Sequence, residues 1–253
     1  GVQTCALPIC GIVMDLGRLN RVRGISPADR CITVEAGAVL EDVNRALAPH
    51  GLTLGHDPWT VGVATVGGTI STDSLGYLGG AYGSMGDQVL GLEVVLPDGT
   101  LVTTRGVSRR ATGPHLERLL IGGEGCFGVV TAATLKAVPL PESRRLLAFD
   151  FPDFAAGFDA VGALHAVGLA PAMVDYGEEL LSATPEGWDP AEPGAIMYLA
   201  FEGPAEVVAA QAARAIAICG QHGGDRHPDA VAQEFWDNRH APAERFKIGR
   251  AHV

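Results

Sequence analysis

The chain has 253 residues, a formal net charge of −11 at pH 7 and 47% hydrophobic residues. The acidic balance argues against nucleic acid or an anionic membrane as the main partner, and no apolar run reaches the length of a membrane span. The hydrophobic share allows a large core, enough for about one domain and a half.

The chain order begins with a segment that does not read as protein. Gly1 to Ile9, GVQTCALPI, can be encoded by GGAGTTCAGACGTGTGCTCTTCCGATC. Lys247 to Val253, KIGRAHV, can be encoded by AAGATCGGAAGAGCACACGTC. All but the first two bases of the second string lie within the reverse complement of the first. Residues 1–9 and 247–253 are therefore expected to be adapter-derived scars outside the fold, with the gene continuing in both directions. No signal peptide is visible. Cys10, Cys31, Cys126 and Cys219 show no CxxC pairing, so neither a zinc site nor a disulfide framework is expected, and a reducing cytoplasm is the default compartment.

Residues 11–16, GIVMDL, and 31–36, CITVEA, read as short strands separated by a polar loop containing Pro27. Val39, Val43 and Leu47 share one helical face, with Gly51 after Pro49 as the stop. Residues 58–76, PWTVGVATVGGTISTDSLG, are the stretch around which the chain is organised. The Gly67-Gly68 pair can press its backbone against a ligand. A helix starting at Thr69 or Ile70 would aim amides and hydroxyls at an anion. The plainer alternative is a tight turn before a buried helix. Gln88 to Leu96 reads as a strand, Asp98-Gly99 as a hairpin turn and Leu101 to Thr104 as the return strand. A short helix over 115–121 precedes a glycine loop that passes into an apolar strand within 122–140.

Pro139, Pro141 and Glu142 mark a domain boundary. Beyond it come a strand (146–151), a helix after Asp153 (154–167), a strand (172–176), a Pro-rich loop (182–193) and a strand (196–201). An alanine-rich helix (204–219) follows, with Pro at its start and Gly220 at its end. That order suits a split βαβ domain whose last strand is expected beyond residue 246.

The motifs VEAG (34–37), HGL (50–52), GHDP (55–58), ATVGGTIST (64–72), YGSMGDQVLGLEVVLPDG (82–99) and EGCFGVVT (124–131) occur in this order. Together they resemble the FAD-binding domain of the vanillyl-alcohol oxidase, or p-cresol methylhydroxylase, superfamily over residues 11 to about 140. GHDP with ATGPHLERLLIGGEG (111–125) resembles alkyldihydroxyacetonephosphate synthases most, then the D-lactate and glycolate dehydrogenases. The segment after 141 resembles, more weakly, the family's cap domain. The fold implied is α+β: a two-subdomain FAD-binding domain over 10–140 lacking its N-terminal part, then a ferredoxin-like split βαβ cap over 141–246 lacking its C-terminal part.

The resemblance implies noncovalent FAD, wrapped by the backbone of Ala64, Thr65, Val66, Gly67 and Gly68. It implies further contacts from Thr60, Thr72, Ser74 and Gly76, and an adenine–ribose end lined by Glu124, Gly125, Gly128, Val129 and Val130. Neutral N–H and O–H donors suit a pyrophosphate in an acidic chain. Trp59-Thr60 stands where synthase-like members have Asp-Ser, and Ser74-Leu75-Gly76 where they have Ala-Ser-Gly. The family's other pyrophosphate loop is expected before residue 10.

Among the remaining candidates, His56 reads as structural rather than as a covalent flavin anchor, and Cys126 as a small packing residue. Tyr82 reads as a packed loop residue, and His222 and His227 as loop residues rather than metal ligands. Trp236 and Arg239, three apart on a helix, are candidate substrate contacts. No catalytic residue is identified within the chain. The implied function is a synthase-like flavoenzyme acting on a small-molecule substrate. The alternatives are a D-2-hydroxy acid dehydrogenase and a flavin-fold fragment without activity. A homodimer is compatible with either enzyme.

Overall fold

The computed structural model describes residues 14–108, 111, 113–178 and 194–243. The described residues divide into two compact units, one of residues 14–140 with 240–243 and one within 141–239.

In the first unit, β1 (Val22–Ser26) and β2 (Cys31–Glu35) form a hairpin. The sequence reading put the earlier strand at 11–16. Residues 14–16 are not strand, 11–13 lie outside the described residues, and the strand falls in the stretch read as polar loop. The reason is visible in VRGIS: β1 is a sheet edge with an exposed start, so it carries charge rather than apolar alternation. The helix α1 (Leu40–Leu47) buries Leu40, Val43 and Leu47, and a 3-10 turn over Ala48–His50 ends at Gly51 in the left-handed region. There follow β3 (Leu52–Thr53), α2 (Val66–Ser71), α3 (Gly79–Tyr82) and α4 (Met85–Gln88), then the hairpin of β4 (Val89–Val95) and β5 (Leu101–Thr103). The chain continues through α5 (Glu117–Leu120), β6 (Val129–Lys136) and β7 (Val138–Pro139).

The five-stranded sheet runs β1-β2-β6-β4-β5, with every neighbouring pair antiparallel. Its core face carries Ile32, Val34, Leu92, Val94 and Leu135, packed with Leu40, Val43 and Leu47 of α1 and Val66 and Ile70 of α2. A charged row is built beside that core. Glu35 and Glu93 are both register partners of Ala132, on either side of β6. Arg23 bridges them, bidentate to Glu93 at 3.0 and 3.1 Å and 3.3 Å from Glu35. Arg21 adds its guanidinium and backbone amide to Glu35.

The second unit runs β8 (Ser143–Phe151), α6 (Phe154–Ala166), β9 (Met173–Glu178), β10 (Ala195–Gly203), α7 (Ala205–Gln221), β11 (Asp225–Arg226) and α8 (Asp229–Asn238). The Pro-rich loop read at 182–193 lies outside the described residues. Sheet order is β11-β8-β10-β9, all antiparallel, which is the ferredoxin-like order. The last strand of this motif is therefore β11 and not a segment beyond residue 246. Two polar residues in GGDRHP give no period-2 signal, so sequence patterning passes over them. Leu147, Phe149, Phe151, Met197, Leu199 and Phe201 alternate onto one face and pack with Ala160 and Leu164 of α6 and Val208, Ala212, Ala215 and Ile218 of α7. Asp153 caps α6 by accepting from the Ala156 amide at 2.8 Å. On α8, Phe235 stacks on Tyr198, ring centroids 4.0 Å apart.

Candidate functional site

The glycine-rich stretch folds around α2, which begins at Val66 with Thr65 as N-cap, earlier than the start at Thr69 or Ile70 read from sequence. Its first-turn donors are already engaged. The Val66 amide donates to the Ala38 carbonyl at 2.9 Å, Gly67 to Ala36 at 2.7 Å, and Gly68 to Thr65 Oγ1 at 3.3 Å. A Cβ on Gly67 would lie 2.8 Å from that of Ala36, so this glycine lets α2 close on the segment leaving β2. The pair therefore works inside the protein, and the amides of residues 66–68 do not form an open anion cradle.

The polar residues after α2 are likewise turned inward. Thr72 Oγ1 donates to the Gly68 carbonyl at 3.1 Å, and Ser74 Oγ lies 2.9 Å from His56 Nε2. Gly76 is packed on the backbone of Asp57, and the Tyr77 amide donates to the Asp57 carbonyl. The GHDP loop and the 72–77 loop are thus laced together, with Tyr82 packed against Gly55 as the sequence reading expects. Thr60 and Ala64 sit half-buried at the mouth of the same loop. The Thr60 carbonyl accepts from Val63 and Ala64, and the Ala64 carbonyl accepts from Leu40.

The second glycine loop is tied to the end of α2: the Gly122 amide donates to Ile70 and the Glu124 amide to Ser71. Glu124 (φ 46°), Gly125 (φ 82°) and Gly128 (φ 154°) are all left-handed. The space where a Gly125 Cβ would stand is open, and Glu124, Gly125, Cys126 and Phe127 are exposed. Val129 and Val130 enter β6, where Val130 is core, so only the start of this run faces outward.

His56 is 1% exposed, and its Nδ1 is enclosed without a hydrogen-bond partner among the described residues. Burial lowers its pKa from 6.5 to about 4, against the pull of Asp57 and Asp73, so the ring is neutral near pH 7. Asp57, itself buried, faces His240 Nε2 at 2.8 Å; His240 belongs to the first unit although it lies far along the chain. No local motif signals that pairing, and sequence reading missed it.

The remaining candidates lie apart from this loop cluster. On α8, Trp236 is buried between the guanidinium groups of Arg144 and Arg239, 4.2 and 3.8 Å from its ring centroid. Arg239 also donates to the Trp236 carbonyl. This is a packing arrangement within the second unit. His227 lies 2.7 Å from Asp150, and His222 caps α7. Among the described residues, no group of three or more His, Cys, Asp or Glu side chains could hold a metal ion, and no helix is long and apolar enough to cross a membrane.

The open residues fit a dinucleotide. The 122–128 loop, tied to the end of α2 at Ile70 and Ser71, offers a Gly125 position with no side chain in the way, and within it only Glu124 brings charge. A glycine-rich loop with one carboxylate and open backbone positions can meet a phosphate-bearing ligand with its amides.

Comparison with known proteins gives the same answer. Residues 3–105 match an FAD binding domain, and residues 140–252 match the C-terminal domain of FAD linked oxidases. Glycolate oxidase subunit GlcD of Bacillus subtilis is 31% identical over 214 residues, 83% of this chain and 46% of that protein. Alkyldihydroxyacetonephosphate synthase of Caenorhabditis elegans is 34% identical over 146 residues, 58% of this chain and 24% of that protein. The mitochondrial D-lactate dehydrogenase [cytochrome] of Arabidopsis thaliana is 33% identical over 174 residues, 68% of this chain and 30% of that protein. A solved alkyldihydroxyacetonephosphate synthase superposes with a TM-score of 0.76 at 21% identity, over 89% of this chain and 44% of its own, and so shares the fold. The chain spans less than half the length of these relatives. With FAD as its cofactor, it belongs to the FAD-linked oxidases of the vanillyl-alcohol oxidase type.

Proposed function

We propose that the chain is part of an alkyldihydroxyacetonephosphate synthase-like enzyme that binds FAD noncovalently. The observation that carries noncovalent binding is His56. It is the histidine of the GHDP loop, and it is buried with Nε2 held by Ser74. A ring so enclosed has no nitrogen exposed for attachment. The synthase reading is supported by GHDP and ATGPHLERLLIGGEG and by the likeness to a synthase of Caenorhabditis elegans.

When bound, FAD would supply the reactive centre that the side chains lack, for group exchange in the synthase reading and for two-electron oxidation in the dehydrogenase reading. The chain's residues bind and orient it. The loop of Glu124, Gly125 and Gly128 holds the nucleotide end by its backbone, and Thr60, Ala64 and Thr65 border the same ligand. Gly67, Gly68, Thr72, Ser74 and Gly76 act one step back, fixing α2 and the GHDP loop in place. Trp236 and Arg239 hold α8. Catalytic groups belong to the remainder of the enzyme, and Trp236 with Arg239 is the candidate substrate contact within this chain.

A second reading, a D-2-hydroxy acid dehydrogenase, is favoured by the glycolate oxidase subunit, whose match covers 83% of the chain. Reading the source DNA outward through residues 1–9 and 247–253 and expressing the extended gene separates the two. Replacement of the acyloxy group of an acylated dihydroxyacetone phosphate by a fatty alcohol, with release of the fatty acid, supports the synthase. Anaerobic bleaching of the flavin by D-lactate or glycolate, without that exchange, overturns it. Natural codons through both ends would refute their adapter origin.

A further inference from the structure

The helix α2 ends on a residue that backbone geometry alone does not favour. Thr72 is its C-cap; the Asp73 amide donates to the Ile70 carbonyl and the Ser74 amide to that of Thr69, both at 3.1 Å. This pair of bonds is a Schellman motif, in which the residue after the cap is left-handed and most often glycine. Here Asp73 holds that position, at φ 45°. Aspartate tolerates the region better than most side chains but does not match glycine. Strain of this kind persists only where the surroundings hold it. Among the described residues three non-glycine residues are left-handed, Arg30, Asp73 and Glu124. Two of them meet at this helix end, because the Glu124 amide donates to the Ser71 carbonyl.

What Asp73 does that a glycine could not is hold a neighbour. Its Oδ1 accepts from the Gly86 amide of α4 at 2.8 Å, beside the backbone bond from the Met85 amide to the Ser74 carbonyl. Gly86 is wedged in place: a Cβ there would lie 2.6 Å from Asp73 Oδ1 and 2.6 Å from Ile121 Cγ2. The next residue, Gly122, approaches Asp73 itself. Its Cβ position lies 3.4 Å from the Asp73 Cβ, and its amide donates to the same Ile70 carbonyl that the Asp73 amide uses. We propose that Asp73 is a positioning residue: it clamps α4 onto the end of α2, and so sets the wall along which residues 121–124 enter the glycine loop, pre-forming that loop for the nucleotide end of FAD. The proposal rests on the flavin reading given above. A loop already in place loses less conformational freedom when its ligand binds. The acceptor and not the charge carries the role, since an amide oxygen can take the same bond and a carboxylate repels a pyrophosphate.

Two measurements on the purified chain test it: FAD titration followed by quenching of flavin fluorescence, and amide hydrogen exchange without FAD. Asp73→Ala removes the acceptor. It is expected to weaken FAD binding at least fivefold and to speed exchange at Gly86, Gly122 and Glu124. Asp73→Asn keeps an acceptor and is expected to stay within about twofold of the wild type in both. Asp73→Gly relaxes the left-handed residue but also lacks the acceptor, so it is expected to bind FAD as weakly as Asp73→Ala although it is the more stable of the two. Far-ultraviolet circular dichroism checks that each variant is folded. A folded Asp73→Ala or Asp73→Gly that binds FAD as the wild type does, or unchanged exchange at Gly122 and Glu124, overturns the proposal. So does an Asp73→Asn variant as weak as Asp73→Ala. Because exchange is read without FAD, a wild type that takes up no FAD counts against the flavin reading and leaves Asp73 to be judged on exchange alone.

Discussion

At the scale of single residues, two buried ionisable groups set how the first unit responds to acid, and they act in different windows. Glu35 is held down from 4.5 to about 2, first by the Arg21 side chain, then by the Arg21 amide and by Arg23, which outweigh the cost of burying it. A carboxyl with a depressed folded-state pKa stabilises the fold above pH 4.5, and that contribution is lost as pH falls toward 2. His56 is held neutral, its pKa lowered from 6.5 to about 4 by burial. The unfolded chain takes up its proton first, so stability drains away between pH 6.5 and 4. In urea titrations at stepped pH, Glu35→Gln is expected to lower stability at pH 7 and flatten the slope below pH 4.5. His56→Gln is expected to flatten it between pH 6.5 and 4 and leave the lower limb intact. Flattening in the same window for both variants would contradict these assignments.

At the scale of elements, the close approach of α2 to the segment after β2 rests on Gly67. Gly67→Ala drives a methyl against Ala36 and is expected to cost about 1–3 kcal/mol, as overpacking does. Ala36→Gly in the same chain should recover part of that cost, read by chemical denaturation as a non-additive double-mutant cycle. The Thr65→Ala variant removes the N-cap and is expected to cost about 1 kcal/mol. These positions also show what the sequence could reveal. Gly67-Gly68 was legible as a site of close backbone approach, but not the identity of the neighbour, because Ala36 is a contact across more than thirty residues. Elements with strong local chemistry were legible: α1 with its Gly51 stop, the Asp98-Gly99 hairpin, α6 after Asp153, and α7 after Pro204. Those defined by pairing alone were not. The edge strand β1 carries Arg23, which bonds both Glu35 and Glu93, and β11 is two polar residues long, so neither shows a hydrophobic period. The Asp57–His240 pair was hidden for the same reason.

At the scale of the whole molecule, a family motif does not identify which atoms meet the ligand. Residues 64–76 carry much of the family resemblance, yet their amides and hydroxyls largely bond within the first unit. The exposed left-handed loop at Glu124–Gly128 is the part left open. The account therefore predicts that Gly125→Val, strained at φ 82°, lowers the thermal midpoint of the free protein and also weakens FAD binding at least tenfold under conditions where the variant is folded. The most direct test of the central claim is amide hydrogen exchange of the purified chain with and without saturating FAD. The account predicts slowed exchange concentrated at residues 122–130, with weaker protection over 60–65. Exchange unchanged in both segments, in a sample shown to hold FAD, would contradict it.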